Sequence, residues 1–310
     1  MYMPNIKELF NQKTLLSFEL FPPKTDRGME KMCREGGTLD QLYRLNPDYI
    51  SCTYHVGGSN AERNMAVLSK IQNDGRTLPV THFTCIGNTP KTVCGLLQDY
   101  LDHGIHHVLA LRGDIPLGYE PGKEDLRYAT ELVDLIRREF GDKFTIAVGG
   151  SPEGHIQCRS IQSDIEYLKQ KQDLGADYII TQLCWDMDQF KWWYDAIRSA
   201  GITLPVDVGV MPVLDSASTI NMALSHNACV MPRALCEIIS RNWIFPNVFT
   251  PEESEEEIRR KKDAFMEEGI QYTISQINEY LSLGVDGIHL FTLNKADAVT
   301  RIIKESNLSA

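Results

Sequence analysis

Glu19 is the residue whose position first points to chemistry. It lies in the apolar stretch Leu15-Leu16-Ser17-Phe18-Glu19-Leu20, and Phe21-Pro22-Pro23-Lys24 follows at once. Two consecutive prolines stop a strand because neither has a ladder N–H to give. A carboxylate held among apolar side chains has its charged form disfavoured. The stretch therefore predicts a raised pKa and a group able to donate a proton near neutral pH. The alternative is a Glu pointing to solvent from a half-buried edge strand. A second carboxylate, Asp114, closes Arg112-Gly113-Asp114. Around the two stand Thr53-Tyr54-His55, Thr81, His82 and Thr84, Pro152-Glu153-Gly154-His155, Thr181-Gln182 and Thr292-Leu293-Asn294-Lys295, at or just after the ends of apolar runs. Such a set suits proton transfer beside a bound organic cofactor, with Arg112 and nearby backbone N–H groups available to a pyrophosphate. Taken singly, each has a plainer explanation: buried Thr and Gln are commonly satisfied core polars. Their joint placement at one end of the runs favours a site.

Other chemistries fit poorly. There is no Gly-x-Ser-x-Gly elbow, which argues against a serine hydrolase. The predicted strands hold no lysine for a Schiff base. His82 and His155 lack metal-ligand spacing, and Cys33, Cys52, Cys85, Cys94, Cys158, Cys184, Cys229 and Cys236 form no C-x-x-C pair. Neither a metal nor a cysteine-ligated cluster is expected. Buried free thiols of a reducing cytoplasm are the simplest reading.

The elements that must position these groups alternate along the chain. Strands are predicted at Leu15–Leu20, Tyr49–His55, Leu78–Ile86, His107–Asp114, Phe144–Gly150, Tyr178–Asp186, Pro205–Met211 and Gly287–Asn294. Helical stretches include Pro90–His103, Asp125–Phe140, Ser160–Leu174 and Met187–Ala200. Alternation of this kind builds parallel βαβ units, and eight of them fit an α/β fold of the (β/α)₈ TIM-barrel type. An open doubly wound sheet is the alternative, but no G-x-G-x-x-G follows the first strand. About seventy residues separate Met211-Pro212 from the last strand. Extra helices are expected there, over 214–225, 231–242 and 252–283. No linker composition divides the chain, so residues 1–310 are read as one catalytic barrel domain.

Lys plus Arg is 31 and Asp plus Glu is 42, a net charge of −11. That argues against nucleic acid or an anionic membrane as a main partner. No stretch approaches the ~18 uninterrupted apolar residues of a membrane span, and Met1 to Lys13 has no apolar signal core.

Several of these segments, in this order and spacing, carry a family likeness. The chain resembles 5,10-methylenetetrahydrofolate reductase, a flavin-dependent folate enzyme, in its short bacterial form. The likeness runs through Ser17-Phe18-Glu19-Leu20-Phe21-Pro22-Pro23-Lys24, Ser51-Cys52-Thr53-Tyr54 and His82-Phe83-Thr84-Cys85. It continues through Leu109-Ala110-Leu111-Arg112-Gly113-Asp114, Pro152-Glu153-Gly154-His155, Gly175-Ala176-Asp177, Thr181-Gln182 and Phe291-Thr292-Leu293-Asn294-Lys295. The resemblance implies a (β/α)₈ barrel with FAD at the C-terminal strand ends, FMN being the smaller alternative. It implies ping-pong reduction of 5,10-methylenetetrahydrofolate to 5-methyltetrahydrofolate with NADH or NADPH, in the cytoplasmic chemistry of one-carbon metabolism and methionine biosynthesis. Glu19 would be the general acid, and Asp114 would lie between flavin and pterin. Thr53, His82, Arg112, Gly113, Asp114, Tyr128, Ala129, His155, Asp164 and Lys171 match the family's FAD contacts. Gln182, Leu293 and Lys295 match its folate side. A homo-oligomer is implied.

The chain departs from the family pattern at a few places. The aromatic expected after the seventh strand, in Pro212-Val213-Leu214-Asp215-Ser216, is Ser216. That aromatic stacks on nicotinamide and folate, so its loss opens a second reading in which a partner subunit or ferredoxin delivers the electrons. Ser151 replaces a Tyr, and Tyr167 and Gln170 stand where Asn and Arg usually face the FAD phosphates. A folate-binding subunit without catalysis, or a flavin-free pterin-binding barrel, are the remaining alternatives.

Overall fold

The computed structural model describes residues 5–53, 61–115, 118, 120–225, 229–243 and 253–309. Met1, Tyr54 and His55, named above, and position 252, where the last of the expected extra helices begins, lie outside them. Eight strands follow one another around a ring: β1 (Leu15–Leu20), β2 (Tyr49–Cys52), β3 (Leu78–Thr84), β4 (His107–Leu111), β5 (Thr145–Gly150), β6 (Tyr178–Thr181), β7 (Val206–Val210) and β8 (Gly287–Phe291). Each pairs parallel with the next, and β8 pairs parallel with β1 to close the barrel. Closure abolishes edges, so Glu19 has no edge strand from which to reach solvent.

Strand side chains alternate between two faces. On β1, Phe18 and Leu20 join the large core between barrel and helices. Leu15 packs in a separate interior cluster with Tyr49, Val80, Leu109, Ala147, Tyr178 and Ile180. Ser17 and Glu19 share the face of Leu15, so the strand points its polar residues into the barrel. The register sets Ser17 beside Tyr49 and His289, and Glu19 beside Ser51 and Phe291.

The helices are α1 (Ile6–Leu9), α2 (Asp26–Cys33), α3 (Thr38–Tyr43), α4 (Ala61–Asp74), α5 (Pro90–Asp102), α6 (Ala129–Phe140), α7 (Ile161–Asp173), α8 (Met187–Ser199), α9 (Ser216–Leu224), α10 (Arg233–Arg241), α11 (Glu255–Ser282) and α12 (Ala296–Glu305). Their starts carry local signals. Thr89 caps α5 with Pro90 behind it, Ser160 caps α7, and Ser254 caps α11 ahead of Glu255, Glu256 and Glu257. Hydroxyl caps satisfy orphan N–H groups, and first-turn carboxylates complement the helix dipole.

The extra helices expected between strands seven and eight are α9, α10 and α11. The last braces the barrel mouth. Gly269 of α11 approaches the β7 exit so closely that a Cβ would sit 2.0 Å from the Val213 carbonyl oxygen. Four residues on, Thr273 Oγ1 accepts a hydrogen bond from Val213 N at 3.1 Å. Gln276 and Tyr280 both donate to the Cys184 carbonyl, at 2.8 and 2.6 Å.

Most predicted strands run past the observed ends. Expected at Tyr178–Asp186, β6 stops at Thr181, and His107–Asp114 stops at Leu111. Leu183 and Trp185 are apolar and buried, but they pack in a second cluster with residues of α10 and α11, including Leu235, Ile238 and Phe265. Their hydrophobicity serves that layer rather than the ladder.

Candidate active site

Active sites of (β/α)₈ barrels open at the C-terminal strand ends. Here that face holds a cavity of about 670 Å³, within the range of small-molecule sites. Of the residues singled out from sequence, Glu19, Thr53, His82, Arg112, Gly113, Asp114, Ala129, His155, Asp164, Lys171, Gln182 and Leu293 line it. Tyr128 and Lys295 stand outside the wall. Tyr128 is exposed where α6 begins, and Lys295 immediately precedes α12.

Glu19 is held from both sides. Thr292 Oγ1 donates to the Glu19 carbonyl at 2.7 Å. Asn294 spans the exits of β1 and β8, its Oδ1 accepting from Phe21 N at 3.1 Å and its Nδ2 donating to Phe21 O at 2.9 Å. Leu293 and Asn294 adopt positive φ, 50° and 58°. Asn tolerates that region and Leu does not, so the turn at Leu293 stores strain at the cavity wall.

The Glu19 carboxylate meets two imidazoles. His82 Nε2 lies 3.6 Å from its Oε2, and His289 Nε2 lies 3.9 Å away. Ser51 Oγ sits between the rings, 3.1 Å from His82 Nε2 and 3.3 Å from His289 Nε2. The raised pKa expected for Glu19 is therefore corrected. Burial does push the carboxyl up, but a hydrogen bond from His289 and the charge of His82 and His289 outweigh it. The pKa lies below the ordinary value. Apolar neighbours along the chain misled because the neighbours that matter come from β3 and β8. His82 is itself pushed down by burial, with Glu19 partly restoring it.

Basic groups collect on the opposite wall. Lys171 Nζ donates to Gly149 O at 2.9 Å, and burial lowers its pKa. Arg112 Nε donates to Gly113 O at 3.1 Å. His155 accepts at Nδ1 from Gln157 N at 3.2 Å, and its backbone N–H donates to Asp164 Oδ2 at 3.3 Å. Burial and the nearby Arg112 hold the His155 imidazole down. Thr53 Oγ1 and Thr84 Oγ1 are buried on the cavity wall with no hydrogen-bond partner among the described residues. Buried hydroxyls normally have partners, so these two have hydrogen-bonding capacity to spare at the cavity.

The apolar wall is Leu109, Leu111, Ile180, Leu183, Met211, Met222 and Phe291. Sequence reasoning did not single out Phe291 or Met222 as wall residues. Ser216 is the first residue of α9, behind the cap Asp215, and does not line the cavity. Ser151 lines it, and Tyr167 is half exposed on α7. Among the described residues no group of His, Cys, Asp and Glu is placed to hold a metal ion. No helix is long and apolar enough to cross a membrane.

A family model described as methylenetetrahydrofolate reductase matches residues 5–307. The Escherichia coli 5,10-methylenetetrahydrofolate reductase is 30% identical over 282 residues, covering 91% of this chain and 87% of that protein. Methylenetetrahydrofolate reductase 1 of Schizosaccharomyces pombe is 30% identical over 302 residues, and an Arabidopsis thaliana relative named as the NADH type is 32% identical over 302. The chain spans 47% and 48% of those two. A solved Clostridium thermocellum protein described as binding two copies of 5-methyl-5,6,7,8-tetrahydrofolic acid shares the fold, with a TM-score of 0.63, 11% identity and 98% coverage of both chains.

Proposed function

The chain belongs to the methylenetetrahydrofolate reductase family, and on that premise we propose that it reduces 5,10-methylenetetrahydrofolate to 5-methyltetrahydrofolate with a bound flavin. The observation that carries the reading is Glu19, flanked by His82 and His289, facing a cavity ringed by the family's motif residues. The cavity suits FAD on its own chemistry. Arg112, Lys171 and His155 offer donors to a diphosphate, and Thr53 and Thr84 offer hydroxyls to a polyol chain. When bound, the flavin supplies the two-electron chemistry of the reduction.

What remains for the protein is placement and protons. Gln182 and Leu293 line the same cavity as Glu19 and would take the pterin side, and Phe291 and Met222 would give the folate an apolar face. Asp114, just past β4, lines the cavity and would stand between flavin and pterin. Glu19 delivers a proton to the folate nitrogen as the methylene bridge opens. The acid is placed because the β1–β8 staple through Thr292 and Asn294 fixes its backbone.

The electron donor is NADH or NADPH in the first reading. A second reading keeps the chemistry and takes electrons from a redox partner protein, which Ser216 favours by standing where the family's stacking aromatic is expected. An absorbance spectrum of the purified protein, then anaerobic titration with NADH, tests both. A yellow protein bleached by NADH supports the first reading. A yellow protein that NADH leaves oxidised moves the assignment to a partner. A protein that takes up no flavin on reconstitution overturns the proposal. Eight free cysteines suit a reducing cytoplasm. We place one catalytic barrel in each subunit of a homo-oligomer.

A further inference from the structure

Below Glu19 lies another carboxylate that the strand-end residues do not explain. Asp207, on β7, is 0% exposed. Its Oδ2 accepts from Ser17 Oγ at 2.9 Å and from Tyr49 OH at 2.6 Å. Its Oδ1 has no partner among the described residues and packs against Gly287, where a Cβ would come within 2.7 Å. Glycine at that position leaves room for the buried acid. The same Ser17 Oγ is 2.7 Å from His289 Nδ1, and Nε2 of that ring faces Glu19. Ser17 thus hydrogen-bonds both Asp207 and His289, and His289 Nε2, 3.3 Å from Ser51 Oγ, stands 3.9 Å from Glu19, so two carboxylates lie at the ends of one row of polar groups in the barrel core.

The serine hydroxyl has one proton to give, which couples the two ends. When Asp207 is ionised, Ser17 donates to it and accepts from His289 Nδ1–H. With the shared proton at the other end of the chain, Glu19 holds it and His289 Nε2 faces it as the acceptor. When Asp207 is protonated it donates to Ser17, Ser17 donates to Nδ1, and His289 presents Nε2–H to an ionised Glu19. We propose that Asp207 stores the proton that Glu19 donates, the two exchanging it through Ser17 and His289. The transfer balances: Asp207 loses one proton, Glu19 gains one, and Ser17 and His289 each pass on one and receive one. The inference rests on Glu19 acting as the acid in the proposed reaction.

Every group around the chain bears on its direction. Asp207 is faced by Ser17 from β1, Tyr49 from β2, Tyr178 from β6 and His289 from β8, with Asp48 more distant. Glu19 is faced by His82, His289, Ser51 and Cys52. Burial lifts the Asp207 carboxyl to about 6, whereas the imidazoles hold Glu19 low. Of the two carboxyls, Asp207 therefore has the stronger hold on a shared proton. A folate over Glu19 strips its remaining water, raises its pKa and draws the proton upward. A low acid at rest and a loaded acid at work are thereby compatible.

Infrared spectroscopy of the protein, with and without 5-methyltetrahydrofolate, reads this without turnover. The ligand-free protein should show a buried carboxylic C=O band that titrates near pH 6 and disappears in Asp207→Asn. Its midpoint should move in Glu19→Gln and in Ser17→Ala, which keeps Asp207 but cuts the link. Adding 5-methyltetrahydrofolate should replace the Asp207 band with one absent from Glu19→Gln. In turnover, Asp207→Asn should slow the folate half-reaction about tenfold at pH 7, the effect of one pKa unit, and leave flavin reduction by the donor unchanged. An Asp207 midpoint identical in wild type, Glu19→Gln and Ser17→Ala overturns the inference even if folate turnover is normal. Coupled midpoints in a protein without reductase activity would retain the proton link and remove only the proposed reaction.

Discussion

His82 Nε2 stands 3.6 Å from Glu19 Oε2, both side chains almost withdrawn from solvent, and Ser51 reaches the same imidazole nitrogen. The pair fixes the electrostatics of the barrel mouth. The imidazoles hold the Glu19 carboxyl below its usual range, and burial, opposed by Glu19, holds the His82 imidazole below its own.

That balance predicts how stability responds to acid. The folded-state pKa of His82 lies below its ordinary 6.5. Below that pH the unfolded chain binds a proton that the folded chain refuses, so stability falls as pH drops through 6.5. The slope from one such group has a ceiling of ~1.4 kcal/mol per pH unit. Glu19, also lowered, adds loss in the same direction below its ordinary 4.5. His82→Gln should lose less stability than wild type between pH 7 and 5.5, measured by urea unfolding. An unchanged difference between the two pH values would reject the assignment.

Gly269→Ala should loosen α11 from the mouth. Its Cβ would meet the Val213 carbonyl at 2.0 Å, a backbone atom that cannot step aside cheaply. Overpacking of this kind costs about 1–3 kcal/mol. Thermal unfolding should register the loss, and folate KM should rise because α11 holds the β6 and β7 exits.

Asn294→Ala removes both bonds to Phe21 and places a Cβ residue without local hydrogen bonding at positive φ. Two lost hydrogen bonds at about 1 kcal/mol each would raise folate KM or lower kcat at least tenfold. Asn294→Gly, which tolerates the φ but not the staple, should fall between. If both variants match wild type in steady-state kinetics, the staple does not position Glu19.

Lys171→Met should weaken flavin binding. Lys171 is a cavity-wall cation anchored to Gly149, and a charge-assisted hydrogen bond contributes about 1.5–3 kcal/mol. Fluorescence titration should show FAD affinity reduced tenfold or more. An unaltered FAD titration would place the diphosphate elsewhere.

Much of this was legible in the chain, for identifiable reasons. The strand starts and the barrel closure follow from β-branched runs separated by helix-length gaps, and β1 was located to the residue. Exits were harder, since Leu183 and Trp185 are as apolar as strand residues but belong to the layer under α10 and α11. Glu19 was found as a charge in an apolar run. Asp207, in Val206-Asp207-Val208-Gly209-Val210, carries the same signal, but no proline or motif beside it marks it out. Its partners Ser17 and Tyr49 lie 190 and 158 positions away, a separation that no local pattern reveals. The direction of the Glu19 pKa was hidden for the same reason, because its imidazoles come from β3 and β8.

The central claim is that Glu19 gives the folate its proton, and Glu19→Gln tests it in one stopped-flow comparison of the two half-reactions. Loss of a general acid typically costs 10²- to 10⁴-fold. The folate half-reaction should slow by about that much, while reduction of the flavin by its donor stays within about twofold of wild type, since the donor half-reaction uses no proton from Glu19. Equal loss in both half-reactions, or none in either, would contradict the account.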